Sequence, residues 1–153
     1  MIKLEIPERN SLELHHAVFD INGTLAVDGV AISGVAERLQ KLSEHLTIHL
    51  LSAGTHDNIS GLEQTLGYKI HITHRGEEKL RYVRELGPSK VVTIGNGAND
   101  SGMLRLAALG IAVVNLEGGS IKALVAADVV VASPIHAIDL LLKPKRLIAT
   151  LRG

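Results

Sequence analysis

Apolar residues in the first eighteen positions recur at alternate places: Ile2, Leu4 and Ile6, then Leu12, Leu14 and Val18. A polar turn, PERNS, separates the two runs. Period two around a turn predicts a β-hairpin whose second arm runs on into the strand HAVFDI at 16–21. The period then changes. Val35, Leu39, Leu42 and Leu46 fall at helical spacing, which predicts a helix over 34–45 with Ser33 as its N-cap. LTIHLLS (46–52) reads as a buried strand, and HDNISGLEQTLG (56–67) as a helix with Ile59, Leu62 and Leu66 inward and Gly67 as its stop. YKIHIT (68–73) is a short strand. EEKLRYVRELGP (77–88) is a helix with Leu80, Val83 and Leu86 inward, closed by Gly87-Pro88. The alternation then repeats through strand 90–95, helix 100–109, strand 110–114, helix 120–127 and strand 128–133. A last helix begins near Ile135 and is broken or kinked at Pro144.

Strands alternating with single helices imply right-handed βαβ units, hence an α/β fold with a doubly wound parallel sheet. At 153 residues the chain suits one domain over 1–153, a hairpin extension (1–15) on a core (16–153). Hydrophobic residues make up 46% but aromatics only 2%, so the core has to be aliphatic. Sixteen basic residues balance sixteen acidic ones, leaving no basic field for nucleic acid or an anionic membrane. Without cysteine there is no disulfide framework, thiolate zinc site or cysteine nucleophile. No apolar run approaches the roughly 18 residues of a membrane span, and the N-terminus lacks a signal-peptide core. The expectation is a soluble, cytoplasmic protein.

Ligands of doubly wound sheets bind beyond the carboxyl ends of the strands, near the topological switch point. The candidate chemistry sits at such ends. Asp20 closes its strand and is followed by Asn22, Gly23 and Thr24; it is placed either to meet a ligand or to make an Asx-turn. Ser52 precedes Ala53-Gly54-Thr55, which opens a helix, as an anion site or a plain N-cap. Lys79, in the first turns of its helix, reads by itself as a solvated lysine. GNGAND (95–100) sets Asn96, Asn99 and Asp100 around two glycines, more polar groups than a helix cap requires; a dipole-stabilising role for Asp100 is the simpler reading. Among eight histidines, His56 is the one placed to touch a substrate. His71 and His74 flank a strand end at a spacing that could share a metal but is common by chance.

In chain order these pieces are Asp, Ser, Lys and Gly-Asn-Gly-x-Asn-Asp. The set resembles the four motifs of the haloacid dehalogenase-like phosphohydrolase superfamily. FDINGTL is similar to its DxDGT, LLSAGT to its second-motif Ser/Thr, Lys79 to its lysine and IGNGAND to its GDGxND. The stretch from Gly76 to Val114 is especially similar to the phosphorylation domain of P-type ATPases, and the likeness extends over about 16–140. The resemblance implies that Asp20 is a nucleophile carrying an aspartyl phosphate, with Asn22 and Lys79 beside it. It implies that Gly23, Thr24, Ser52, Ala53, Gly54 and Asn99 contact the substrate. Mg²⁺ would be held by Asp20, the backbone carbonyl of Asn22, Asn96 and Asp100. Positioning and charge neutralisation are what phosphoryl transfer requires.

Two residues depart from that pattern. The superfamily's phosphatases place a carboxylate two residues after the nucleophile as general acid and base, a contribution of about 10²–10⁴-fold. Asn22 can do neither job, and P-type ATPases also lack a carboxylate there. Asn22 therefore suits phosphoenzyme formation better than rapid turnover, and acyl phosphates need the missing acid least. Asn96 replaces a charged Mg²⁺ ligand by a neutral one, which weakens the metal site. The intervals between motifs are filled by single helices and strands, leaving no room for a cap domain. The site is then open, or lidded by LAVDGVAIS (25–33) or by a neighbouring subunit, since such chemistry needs water excluded. A homo-oligomer is expected. Capless, tetrameric relatives act on 3-deoxy-manno-octulosonate phosphate, which adds a sugar phosphate to the candidate substrates. The competing reading is a regulatory protein on the same fold that binds a phosphorylated ligand without turnover. A receiver-like domain fits poorly, because Asp20 lacks an adjacent acid. A dinucleotide-binding domain fits worse, because GxGxxG is absent.

Overall fold

The computed structural model describes residues 1–54 and 58–153. The predicted start of the second helix, with Thr55 and His56, lies outside the described residues. Ten strands and seven helices follow in order: β1 (Ile2–Leu4), β2 (Leu12–Leu14), β3 (His16–Asp20), β4 (Ala26–Val27), β5 (Val30–Ala31), α1 (Val35–Leu42), β6 (Thr47–Ser52), α2 (Ile59–Leu66), β7 (Ile70–Ile72), α3 (Gly76–Leu86), β8 (Val91–Gly95), α4 (Ser101–Leu106), β9 (Leu109–Val113), α5 (Ile121–Ala126), β10 (Val129–Val131), α6 (Pro134–Leu142) and α7 (Pro144–Leu151). Six of the strands form one parallel sheet in the order β10-β9-β8-β3-β6-β7. The first of them in the chain, β3, lies between β6 and β8, so the connections leave it in opposite directions. That is the switch point.

Burial on both faces explains why β3 reads HAVFD rather than as an alternating strand. Ala17 and Phe19 pack on one face with α1, α2, α6 and α7; Val18 packs on the other with Val83 of α3 and Met103 of α4. Alternation then fixes where the next residue points. Asp20 shares its face with Val18, toward α3 and α4.

The N-terminal hairpin is present as β1 paired with β2, but its second arm does not continue into β3. The chain switches sheets at His15, whose N–H donates to Lys90 O. Ile2, Leu4 and Leu14 are buried in the main core, so the hairpin is part of the packed structure. Ser33 does not cap α1; Gly34 does, at φ 88°, without a side-chain hydrogen bond. The sequence signal favoured a hydroxyl, but the tight exit from β5 needs a left-handed residue there. The helix predicted at 100–109 is a 3₁₀ turn (Ala98–Asp100) followed by α4. Pro144 breaks the last helix, as expected, separating α6 from α7. Between β3 and β6 lie only the small β4–β5 hairpin and α1, with no cap domain. Among the described residues, no helix is long and apolar enough to cross a membrane.

Candidate active site

Lys79 is the centre of the site, and it is wholly buried. Its Nζ donates to Asp20 Oδ1 at 2.6 Å and to Asp100 Oδ1 at 2.8 Å. A lysine is placed inside only where charge awaits it. Here α3 is docked through Val83, one turn beyond Lys79, against Val18 of β3. That docking brings the ammonium to the carboxyl end of the strand, where Asp20 is 5% exposed.

Asp100 reaches the same point from β8. Its Oδ2 accepts from the N–H groups of Asn96 (3.1 Å) and Gly97 (2.9 Å), which folds the carboxylate back under its own turn. Gly95 permits this, because a Cβ there would stand 2.7 Å from Asp100 Cγ. The other oxygen is left for Lys79.

One ammonium therefore faces two buried carboxylates, a surplus of one negative charge. Burial, with the Asp100 carboxylate beside it, pushes Asp20 up to about 7 against the opposing pull of Lys79 and Thr24. Burial alone would lower Lys79, but the charges of Asp20 and Asp100 more than offset it and hold the ammonium above the ordinary lysine range. The donor set suits a hard divalent cation. It offers carboxylate oxygens, backbone carbonyls and amide oxygen, with the negative charge to be balanced. Asp20 and Asp100 would hold such an ion, with the Asn22 carbonyl and Asn96 as neutral oxygens.

The remaining predicted residues gather around this centre unevenly. The Thr24 hydroxyl lies 3.0 Å from Asp20 Oδ2 and 3.3 Å from Asn96 Oδ1. Gly23 adopts φ 81°, and a Cβ there would overlap the Asn96 amide, so only glycine lets the two turns close together. Asn22 Nδ2 donates to Ser52 Oγ at 3.4 Å, and the Gly54 N–H donates to the same hydroxyl at 3.1 Å. Ser52 is buried at the end of β6, with its carbonyl accepting from the Thr73 N–H at 2.7 Å; Ala53 is half-buried beside it. Asn99 is exposed, its backbone carbonyl lying against Gly76 at the start of α3.

Sequence reasoning by itself read Lys79 as solvated, because nothing local marks a buried lysine; only the two distant aspartates do. It also overlooked Glu117 and Gly118 in the loop after β9. Nothing in their residue types marks them, although their loop leaves the same edge of the sheet as the other site turns. His71 and His74 are both exposed, and no cluster of three or more histidine or acidic side chains among the described residues is arranged to hold a metal.

A family model for haloacid dehalogenase-like hydrolases matches residues 26–134, which takes in Ser52, Lys79 and the GNGAND turn but begins after Asp20. An uncharacterised protein of Methanocaldococcus jannaschii is 44% identical over 78 residues, 48% of this chain and 84% of the relative. The fold is shared with 3-deoxy-D-manno-octulosonate 8-phosphate phosphatase from Moraxella catarrhalis, a complex with magnesium ion, phosphate ion and the sugar acid. The TM-score is 0.69 at 18% identity, covering 90% of this chain and 92% of that one. The catalytic domain of the CPx-ATPase CopB-B is similar at 25% identity and a TM-score of 0.59, over 78% of this chain and 46% of that one.

Proposed function

Because the chain belongs to the haloacid dehalogenase-like hydrolases, we propose that it is a Mg²⁺-dependent phosphohydrolase or phosphotransferase whose nucleophile is Asp20 and whose turnover is slow. The observation that carries this reading is the buried Lys79 bridging Asp20 and Asp100, an arrangement that costs stability unless charge is to be handled there. In the proposed reaction an Asp20 carboxylate oxygen bonds to phosphorus as the bond from phosphorus to the leaving oxygen breaks. The leaving group departs with that electron pair. Lys79 neutralises the nucleophile before transfer and the phosphoryl oxygens after it, while Ser52 and the Gly54 N–H lie where they can orient those oxygens. Bound Mg²⁺ would supply further neutralisation of phosphoryl charge.

Water then attacks the aspartyl phosphate, releasing phosphate and restoring the carboxylate. Here Asn22 is limiting: its amide is too weakly acidic to protonate the leaving oxygen and too weakly basic to take a proton from water. Leaving groups that depart as stable anions, acyl phosphates above all, need that proton least. Small phosphorylated substrates, including sugar phosphates, belong to the same reading, as does a homo-oligomer that helps exclude water. Replacing Asn22 by Asp should raise steady-state phosphate release by about 10²–10⁴-fold, whereas Asp20→Asn should abolish it.

One observation favours a second reading. Asn22 and Asn96 both use their amide N–H groups, toward Ser52 and Gly118, in bonds a carboxylate could not donate. A site built around amides is also consistent with a protein that binds a phosphorylated ligand without turning it over. No turnover in Asn22→Asp, with the fold intact, would select that reading.

A further inference from the structure

We infer that Glu117 is a positioning residue that latches the β4–β5 flap across the mouth of the site, and that Asn96 anchors the latch. The gating role rests on the reading of Asp20 as nucleophile; the latch itself does not.

The flap leaves the sheet directly after Asp20. Its base is fixed by the Ile21 carbonyl, which accepts from the N–H groups of Thr24, Leu25 and Ala26 at 3.1, 2.9 and 2.9 Å. Its tip is a two-residue turn in which Asp28 and Gly29 both have positive φ, 51° and 77°, as a tight hairpin requires. Among the described residues, the tip is hydrogen-bonded to another part of the chain through the Asp28 N–H, which donates to Glu117 Oε2 at 3.1 Å. Glu117 belongs to the loop after β9, and β9 and β3 flank β8. The bond therefore crosses the end of β8, over the turn that carries Asn96 and Asp100.

The loop is stiff enough to serve as a catch. Asn115 accepts from Gly118 N through its carbonyl (2.8 Å) and from Glu117 N through its side chain (3.2 Å). Asn96 ties that loop to the site. Its carbonyl accepts from Ser120 N at 2.8 Å, and its Nδ2 donates to Gly118 O at 3.1 Å. The carbonyl of Gly118 can only accept, so the nitrogen of the amide has to face it. Its Oδ1 then meets the Thr24 hydroxyl, which also reaches Asp20. A continuous path runs from the nucleophile through Thr24, Asn96, Gly118 and Glu117 to the flap tip.

An aspartate at 96 would set two acceptors against each other at Gly118 and release the loop. Asparagine at this position is thus a requirement of the tether as well as a weaker metal ligand. With the latch closed, an aspartyl phosphate on Asp20 is sheltered from bulk water.

Amide-resolved hydrogen exchange on the metal-free full chain tests the latch without any activity. Loss of a charge-assisted bond predicts exchange at the Asp28 amide about 3–10-fold faster in Glu117→Ala. Glu117→Gln, which keeps an acceptor oxygen, should stay near wild type. Asn96→Asp should speed exchange at Gly118 and Asp28 together. Unchanged exchange at Asp28 in Glu117→Ala, or at Gly118 in Asn96→Asp, would overturn the latch or its anchor. For gating, the decay of label from acid-trapped phosphoenzyme should quicken in Glu117→Ala by the factor seen in exchange. Equal decay in the two proteins would overturn gating. Absence of label on wild type would overturn both gating and the nucleophile reading, while exchange would still decide whether the latch exists.

Discussion

At the scale of single residues, the site is a problem in charge. Asp20 and Asp100 share one buried ammonium, so above about pH 7, where Asp20 is ionised, the metal-free protein holds an uncompensated negative charge in a region without solvent. Asp20→Asn removes that surplus and keeps an oxygen for Lys79. The metal-free variant should be about 1–2 kcal/mol more stable than wild type, or about 2–8 °C in Tm. Mg²⁺ should raise the Tm of wild type and raise that of Asp20→Asn far less, which thermal unfolding with and without the ion would check. A Tm in Asp20→Asn at or below that of wild type would mean that the surplus charge is not costly. The asparagines make the complementary point. Each donates through its amide nitrogen, Asn22 to Ser52 Oγ and Asn96 to the Gly118 carbonyl, a bond that a carboxylate could not make.

At the scale of elements, strand parity and helix period do most of the positioning. Val18 and Asp20 share a face, Val83 and Lys79 share a face, and packing the first of each pair brings the second together. The same face carries a string of polar rings. His16 Nδ1 lies 3.1 Å from His49 Nε2, and His49 Nδ1 lies 2.9 Å from the Tyr82 hydroxyl. The His71 ring of β7 also lies against Tyr82, tilted by 47° with its centroid 5.3 Å away. Burial, with His16 and His71 nearby, lowers His49 to about 4, and burial also lowers His16. Between the ordinary histidine value and about pH 4, the unfolded chain binds a proton that folded His49 refuses. Its contribution to stability is complete above about pH 6.5 and is lost as the pH falls toward 4. Chemical denaturation of wild type should weaken across that window, and His49→Gln should flatten the slope. An unchanged slope would show that the string does not titrate in this way.

These elements also show what a sequence can and cannot disclose. The strands HAVFD and TIHLLS, the break at Pro144 and the doubly wound order follow from local pattern, and so do the helix stripes except in α3, where Lys79 and Val83 are buried and Leu80 and Leu86 only half-buried. The strand-end motifs were legible because their order along the chain resembles a known set. The burial of Lys79 was not, since it depends on two aspartates brought in from β3 and β8. Glu117 was not legible either. Its partner is a backbone N–H at the flap tip, and a backbone donor leaves no mark on residue type. Ser33 misled because a hydroxyl before an apolar stripe suits many caps, whereas this turn needed the freedom of Gly34.

At the scale of the whole molecule, the sheet's switch point gathers the carboxyl ends of β3, β6 and β8, and Asp20, Ser52 and the acidic turn stand on them in that order. Between β3 and β6 the only element beside α1 is the β4–β5 flap. The chain belongs to the haloacid dehalogenase-like hydrolases and shares its fold with a phosphatase and an ATPase catalytic domain. Under the proposed function Asp20 is phosphorylated and Asn22 makes the phosphoenzyme durable. The most direct test is to incubate the protein with Mg²⁺ and labelled acetyl phosphate, quench in acid and measure the label retained. Stable label is expected on wild type, released by hydroxylamine, and none on Asp20→Asn. Equal label on both proteins, or no label and no released phosphate from a folded wild type, would contradict it.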